Sequence, residues 1–122
     1  MIEYADLACP ACALAHARIG LDVRRVFRHF PLASRAPRAR PLAQAAEAAA
    51  LQGRFWEFVD SVYADQGHVD DPHLWERCER LGIDLDRFEA DRRSEAVAAR
   101  VERDFRDGIR AGVTGTPTLF RV

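Results

Sequence analysis

Ile2-Glu3-Tyr4-Ala5-Asp6-Leu7-Ala8-Cys9-Pro10-Ala11-Cys12-Ala13-Leu14-Ala15-His16-Ala17-Arg18-Ile19-Gly20 is the stretch that decides the fold. Ile2 to Ala5 is short and partly apolar, with β-favouring Ile2 and Tyr4, and reads as a strand. Pro10 suits the first position of a helix, where its missing N–H costs nothing. Alanine and leucine propagate that helix, and Gly20 suits its stop. Cys9 therefore falls at the N-cap of a short helix, directly after a strand. Cys12 follows almost one turn later, on the same side, so the two sulfurs can reach bonding distance without backbone strain. A helix start supplies free N–H groups and the positive end of the macrodipole. Both favour a thiolate on Cys9 and make it the attacking or leaving sulfur. Cys12, inside the first turn, is the resolving thiol.

A C-x-x-C pair also occurs in zinc sites, which need about four ligands. Cys78 and His16 are the candidates to complete one. The chain has no second C-x-x-C and no H-x-x-x-H, so redox chemistry is the stronger reading and no metal is expected. Cys78 shares a helical face with Leu74 and Leu81 and reads as a small buried hydrophobe. His16 reads as a surface residue, His29 as a packing or hydrogen-bonding residue. Trp56 and Trp75 read as core or cleft-wall residues.

Working outward, Leu21 to Phe30 alternates partly and reads as a second strand. Pro31, Pro37 and Pro41 punctuate a loop. From Pro41 to Gly112 the pattern is helical. Asp71-Pro72 opens one of these helices, and Asp84 and Ser94 cap two more. Val97, Val101, Phe105 and Ile109 recur every four residues on the last. Gly115-Thr116-Pro117-Thr118 then reads as a turn and a proline before a final strand, and X-Pro bonds are the ones that become cis. The order is strand, helix, strand, helical block, strand.

The chain has 122 residues, enough for one domain with a modest core. A formal charge of −1 offers no global field for nucleic acid, and no apolar run is long enough to span a bilayer. All 18 basic residues are arginine, and the locally basic Arg35, Arg38 and Arg40 read as a solvated loop. Three cysteines are too few and too uneven for a disulfide scaffold. The first residues carry no basic n-region and no apolar h-region, so a cytoplasmic location is expected unless an export signal has been removed.

Several segments together resemble the DsbA-like branch of the thioredoxin superfamily. They are Glu3 to Cys12, Val26-Phe27-Arg28-His29-Phe30-Pro31-Leu32, Ala45 to Ala49 with Gly53-Arg54-Phe55-Trp56-Glu57, Leu81 to Phe88, and Gly112-Val113-Thr114-Gly115-Thr116-Pro117-Thr118. The resemblance implies an α/β thioredoxin-like fold across residues 1–122, with an α-helical insertion at about 41–111 between the second and third strands. It implies a cis bond between Thr116 and Pro117. It also implies that the backbone before Pro117 holds an extended substrate beside Cys9, Pro10, Ala11 and Cys12, by strand addition. Glu3 matches a family position for a buried carboxylate, where burial would raise its pKa and let it relay the proton of Cys12. The activity implied is thiol–disulfide exchange with protein or peptide thiols, without a cofactor, together with a partner that recycles the pair. Strongly oxidising members carry Pro-His between the cysteines, whereas Pro10-Ala11 implies a milder oxidant, or a reductant in the cytosol.

Two departures from the family stand out. Only ten residues separate Cys12 from Val23, about two turns fewer than the family helix. A further strand and final helix of the family are missing after Val122. The last strand should then be an open edge, which implies a homodimer through that edge or a piece of a longer polypeptide. The alternatives to an enzyme are a binding module using the groove near Pro117 without turnover, and a small zinc protein. An isomerase-like or glutathione-dependent relative is disfavoured, because those replace the pair by a single serine or cysteine.

Overall fold

A computed structural model describes residues 1–20 and 23–121. The elements in chain order are β1 (Ile2–Ala5), α1 (Pro10–Arg18), β2 (Val26–His29), α2 (Ala39–Ala50), α3 (Phe55–Ala64), α4 (Asp71–Leu81), α5 (Leu85–Arg92), α6 (Glu95–Arg110) and β3 (Thr118–Phe120). The sheet order is β2-β1-β3, with β1 parallel to β2 and antiparallel to β3. This is the thioredoxin-like α/β arrangement with a helical insertion between the second and third strands.

The second strand is shorter than the alternation from Leu21 suggests. β1 offers four residues, and its pairs run only from Ile2↔Val26 to Ala5↔His29. A chain extended beyond its partner has no ladder to join. Val23 is exposed ahead of the strand, and Leu21 and Asp22 lie outside the described residues. The helical block also starts two residues earlier than Pro41. Pro41 is the third residue of α2, within the first turn, where no N–H needs an intrahelical acceptor. Asp71-Pro72 opens α4 as expected, with Asp70 capping it by accepting from His73 N, and Asp84 and Ser94 cap α5 and α6 as expected.

Strand alternation splits the core in two. Ala5 and Phe27 face the insertion, where Leu42, the alanines of α2, Phe58, Val62, Leu74, Cys78 and Phe88 are buried together. Alanine on α2 lets neighbouring helices approach closely. Tyr4 faces the other way, with Phe30 and Val113, and Phe105 and Phe120 pack beside them. Gly108 of α6 is required by this second cluster: a Cβ there would meet Phe30 Cδ1 at 2.6 Å and Tyr4 Cδ1 at 3.0 Å. Buried Asp104 of α6 accepts from His29 N at 3.1 Å and lies near Arg28 and Arg100, tying α6 to β2.

Two apolar stripes fall short of their expected burial. Ile109 is exposed although Val97 and Val101 are buried. At this end of α6 it is Gly108 that meets Tyr4 and Phe30, and Ile109, about 100° further round the helix, points away from the sheet. Trp75 is 40% exposed and bonds Glu89 through its indole N–H, so it is not a core residue; it lines a shallow surface groove with Pro72 and Leu85. β3 lies at the sheet edge with Leu119 exposed.

Candidate functional site

β1 delivers the chain to the site through a loop built by Asp6. Its Oδ1 accepts from Ala8 N at 3.0 Å and its Oδ2 from Leu32 N at 3.1 Å. The first is an Asx turn. Cys9 N donates to Asp6 O at 3.0 Å and closes the loop. Cys9 is extended (φ −89°, ψ 121°) as the N-cap of α1, and Pro10 is the first helical residue. Cys9 O accepts from Cys12 N at 3.1 Å and Ala13 N at 3.2 Å, so the helix begins directly at Cys9.

Cys9 is half-buried, whereas Cys12 is 2% exposed; Pro10 and Ala11 face solvent. All three cysteines are free thiols in the structure. Burial pushes the Cys9 thiol up, but hydrogen bonds from Thr116, the Cys12 and Ala11 backbone and the Cys12 thiol outweigh it, and its pKa lies below the ordinary thiol value. Burial pushes Cys12 the other way, to about 12, against hydrogen bonds from Asp6 N and Thr116. Asp6 N lies 3.5 Å from Cys12 Sγ. The two sulfurs thus differ in burial and in how readily each gives up its proton.

The third strand brings the distant segment into contact. The peptide bond Thr116–Pro117 is cis. Thr116 O lies 3.8 Å from Cys9 Sγ and accepts from the thiol, and the Thr116 side chain favours the thiolate form. Pro117 has no N–H to offer the sulfur. Thr118 Oγ1 donates to Gly115 O at 2.7 Å and holds the turn.

Glu3 is 3% exposed on β1, buried as the resemblance implies. Its partner is Arg25, whose Nε is 2.8 Å and whose second guanidinium nitrogen is 2.5 Å from Oε1. Arg25 lies 4.5 Å over the Trp56 ring and donates to His16 Nδ1 at 3.0 Å. His16 Nε2 is 2.5 Å from Asp60, and its ring stacks on Trp56. His16 is therefore not a plain surface residue but a link between α1, α3 and Arg25. Tyr63 lies in the same region: burial first, then the charges of Cys12, Glu3 and Asp6, hold its phenol well above the usual range. His29 bonds Glu47 at 2.7 Å, a structural contact as expected. Cys78 is fully buried.

Of the expected site residues, Cys9, Cys12, Pro10, Ala11, Thr116 and Pro117 lie together, and Glu3 lies beneath α1 on Arg25. Sequence reasoning passed over Asp6, Arg25, Asp60 and Tyr63. An aspartate two residues before a turn N–H is a readable Asx signal for Asp6. The other three are placed by packing alone. Among the described residues, no group of three or more histidine, cysteine or carboxylate side chains is arranged to hold a metal.

A three-stranded thioredoxin-like sheet with a cysteine pair at a helix start, opposite a cis-proline turn, places the chain in the thioredoxin-like fold class. Residues 26–121 match the DSBA-like thioredoxin domain family, and the chain belongs to that family. The match begins after the cysteine pair. A thioredoxin-like oxidoreductase from Silicibacter pomeroyi DSS-3 superposes with a TM-score of 0.82 at 24% identity, over 95% of this chain and 69% of that one. DsbA2 from Pseudomonas aeruginosa gives 0.74 at 27% identity, over 95% and 69%. The chain is also 41% identical over 98% of its length to a protein from Herminiimonas arsenicoxydans named Na(+)/H(+) antiporter NhaA, and spans 20% of that relative. The chain thus spans about one fifth of the curated relatives it matches. No described helix is long and apolar enough to cross a membrane.

Proposed function

We propose that this domain is a thiol–disulfide oxidoreductase that exchanges disulfides with protein thiols through Cys9 and Cys12. The observation that carries this reading is the asymmetry of the pair. Cys9 is half-exposed, its thiolate favoured by donors from its own helix and Thr116, while Cys12 is buried and held protonated.

In the oxidising direction a substrate thiolate attacks Cys9 Sγ of the disulfide. The Cys9–Cys12 bond breaks, and its electron pair and a proton go to Cys12. A second substrate thiolate attacks the substrate sulfur of the mixed disulfide and releases Cys9 as thiolate. The substrate loses two electrons and the domain gains them; a recycling partner reoxidises it. In the reducing direction Cys9 attacks and Cys12 releases it. The Thr116 carbonyl, Pro117, and exposed Pro10 and Ala11 flank the sulfurs and suit an extended peptide backbone. Glu3 is the proposed proton relay for Cys12, supported by its burial on β1. With Pro-Ala between the cysteines, the pair is a mild oxidant or, in a reducing compartment, a reductant.

The curated relatives support a second layer. A segment this similar forms a fifth of proteins named as membrane antiporters. We read the domain as a redox module that also works attached to a larger protein, with substrate thiols in that protein or near it.

The test is equilibration in glutathione buffers, with free thiols trapped and counted by mass. A reversible two-electron transition confined to Cys9 and Cys12 is expected, and its midpoint gives the direction. Failure to form that disulfide overturns the reading in favour of a binding module.

A further inference from the structure

Arg77 is a buried cation of the insertion. It is 2% exposed, and its Nε has no hydrogen-bond partner. Its guanidinium donates to two backbone carbonyls, His68 O at 2.6 Å and Asp65 O at 3.0 Å. Among the described residues it forms no ion pair with a carboxylate. A buried cation spent on main-chain oxygens fixes a turn, here the four residues Asp65-Gln66-Gly67-His68 between α3 and α4.

That turn presents one side chain to the redox loop. Gln66 Nε2 donates to Leu7 O at 2.9 Å and to Cys9 O at 3.0 Å. The second acceptor is the carbonyl that also receives the N–H groups of Cys12 and Ala13, in the first turn of α1. Fixing this carbonyl fixes the plane of the Cys9–Pro10 peptide. The Ala11 and Cys12 amides, two of the donors that favour the Cys9 thiolate, are then held in place relative to Sγ. Neither contact belongs to the thioredoxin-like sheet; both come from the helical insertion, 57 and 59 residues further along the chain.

We propose that Gln66, held out by buried Arg77, is a positioning residue of the redox pair: the insertion braces the nucleophile loop through the Leu7 and Cys9 carbonyls. The inference rests on the oxidoreductase reading. It gives the insertion a chemical role besides covering the sheet, and gives the burial of Arg77 a reason.

The measurement is the pH profile of Cys9 alkylation in the reduced protein, with thermal unfolding alongside. Gln66→Leu removes both donor bonds and keeps the bulk. It should lower the alkylation rate of Cys9 at pH 6 by roughly three- to ten-fold, the size expected when one modest hydrogen-bonded restraint on the thiolate donors is lost. The melting temperature should change little. Arg77→Met should act in the same direction, and the double variant should be no slower than Gln66→Leu alone, because Arg77 acts through Gln66. Should Arg77→Met fail to fold, Gln66→Leu alone decides. If Cys9 of the unaltered protein reacts as an ordinary thiol, the oxidoreductase reading itself fails. If it reacts as a low-pKa thiol and Gln66→Leu leaves the profile unchanged, only the brace is overturned. Additive losses in the double variant also overturn it.

Discussion

Thr116→Val isolates one contribution to the reactivity of Cys9. The substitution exchanges the hydroxyl for a methyl of similar size and leaves the Thr116 carbonyl, 3.8 Å from Sγ, where it is. The Thr116 side chain favours the Cys9 thiolate, and its hydroxyl is the donor it carries. A hydrogen bond to a charged group contributes roughly 1.5–3 kcal/mol. Cys9 is half-exposed, so solvent replaces part of that loss, and about 1–1.5 kcal/mol is the reasonable range. This corresponds to roughly a five- to tenfold weaker acid. Thiolate stabilisation favours the reduced protein, so its loss makes the two-electron potential more negative, by about 20–30 mV at a pH above the Cys9 pKa. Thiolate absorbance against pH reads the first quantity, and equilibration with glutathione reads the second. Both must move in the stated directions. A titration and a potential that superpose on the unaltered protein would refute the assignment of the Thr116 hydroxyl as a thiolate donor.

Exchange with a model dithiol should be abolished by Cys9→Ser, whereas Cys12→Ser should accumulate mixed disulfides visible by mass; no trapped species would remove the resolving role from Cys12. Below pH 9 the reduced protein should titrate as a single thiolate, on Cys9, because burial holds Cys12 at about 12 and Cys78 at about 11. The linkage follows in sign: the Cys9 contribution to stability is complete above the unfolded thiol pKa, roughly 8.5, and is lost as pH falls through its lower folded value. The Cys12 and Cys78 contributions are complete below the unfolded value and decline as pH rises toward their folded values. Denaturant midpoints of the reduced protein should therefore fall above about pH 9, and a flat profile to pH 10.5 or so would contradict the burial of both thiols. Gly108→Ala should destabilise by about 1–3 kcal/mol, although alanine is favoured over glycine in a helix by about 1 kcal/mol, because its Cβ would meet the Phe30 ring at 2.6 Å. A raised melting temperature would show that Phe30, stacked on Phe105, yields more readily than its packing suggests.

The sequence by itself determined what depends on neighbours within a turn or two. A strand, Cys9 at the N-cap, Pro10 in the first turn and Cys12 below it follow from local hydrogen bonding and proline geometry, and they define the chemistry. The caps at Asp84 and Ser94 were legible for the same reason, since each side chain accepts from the backbone N–H three residues on. The burial of Cys78 followed from helical periodicity. The resemblance of several separated segments supplied the opposing turn at Thr116–Pro117, which local reasoning marks only as a bend.

Tertiary structure decided the rest, because those partners are far apart in the chain and are chosen by packing. Glu3 meets Arg25 across a strand pair, and His16 meets Asp60 from another helix. Gln66 reads as an ordinary loop residue until the turn it sits on is carried to the carbonyl of Cys9. Gly108 looks like a weak point in a helix until two aromatic rings are seen to occupy its missing side chain. Trp75 carries an apolar signal, yet its helix turns it to solvent. Periodicity specifies which face of an element is apolar; how far that face is covered depends on the length and position of the element packed against it.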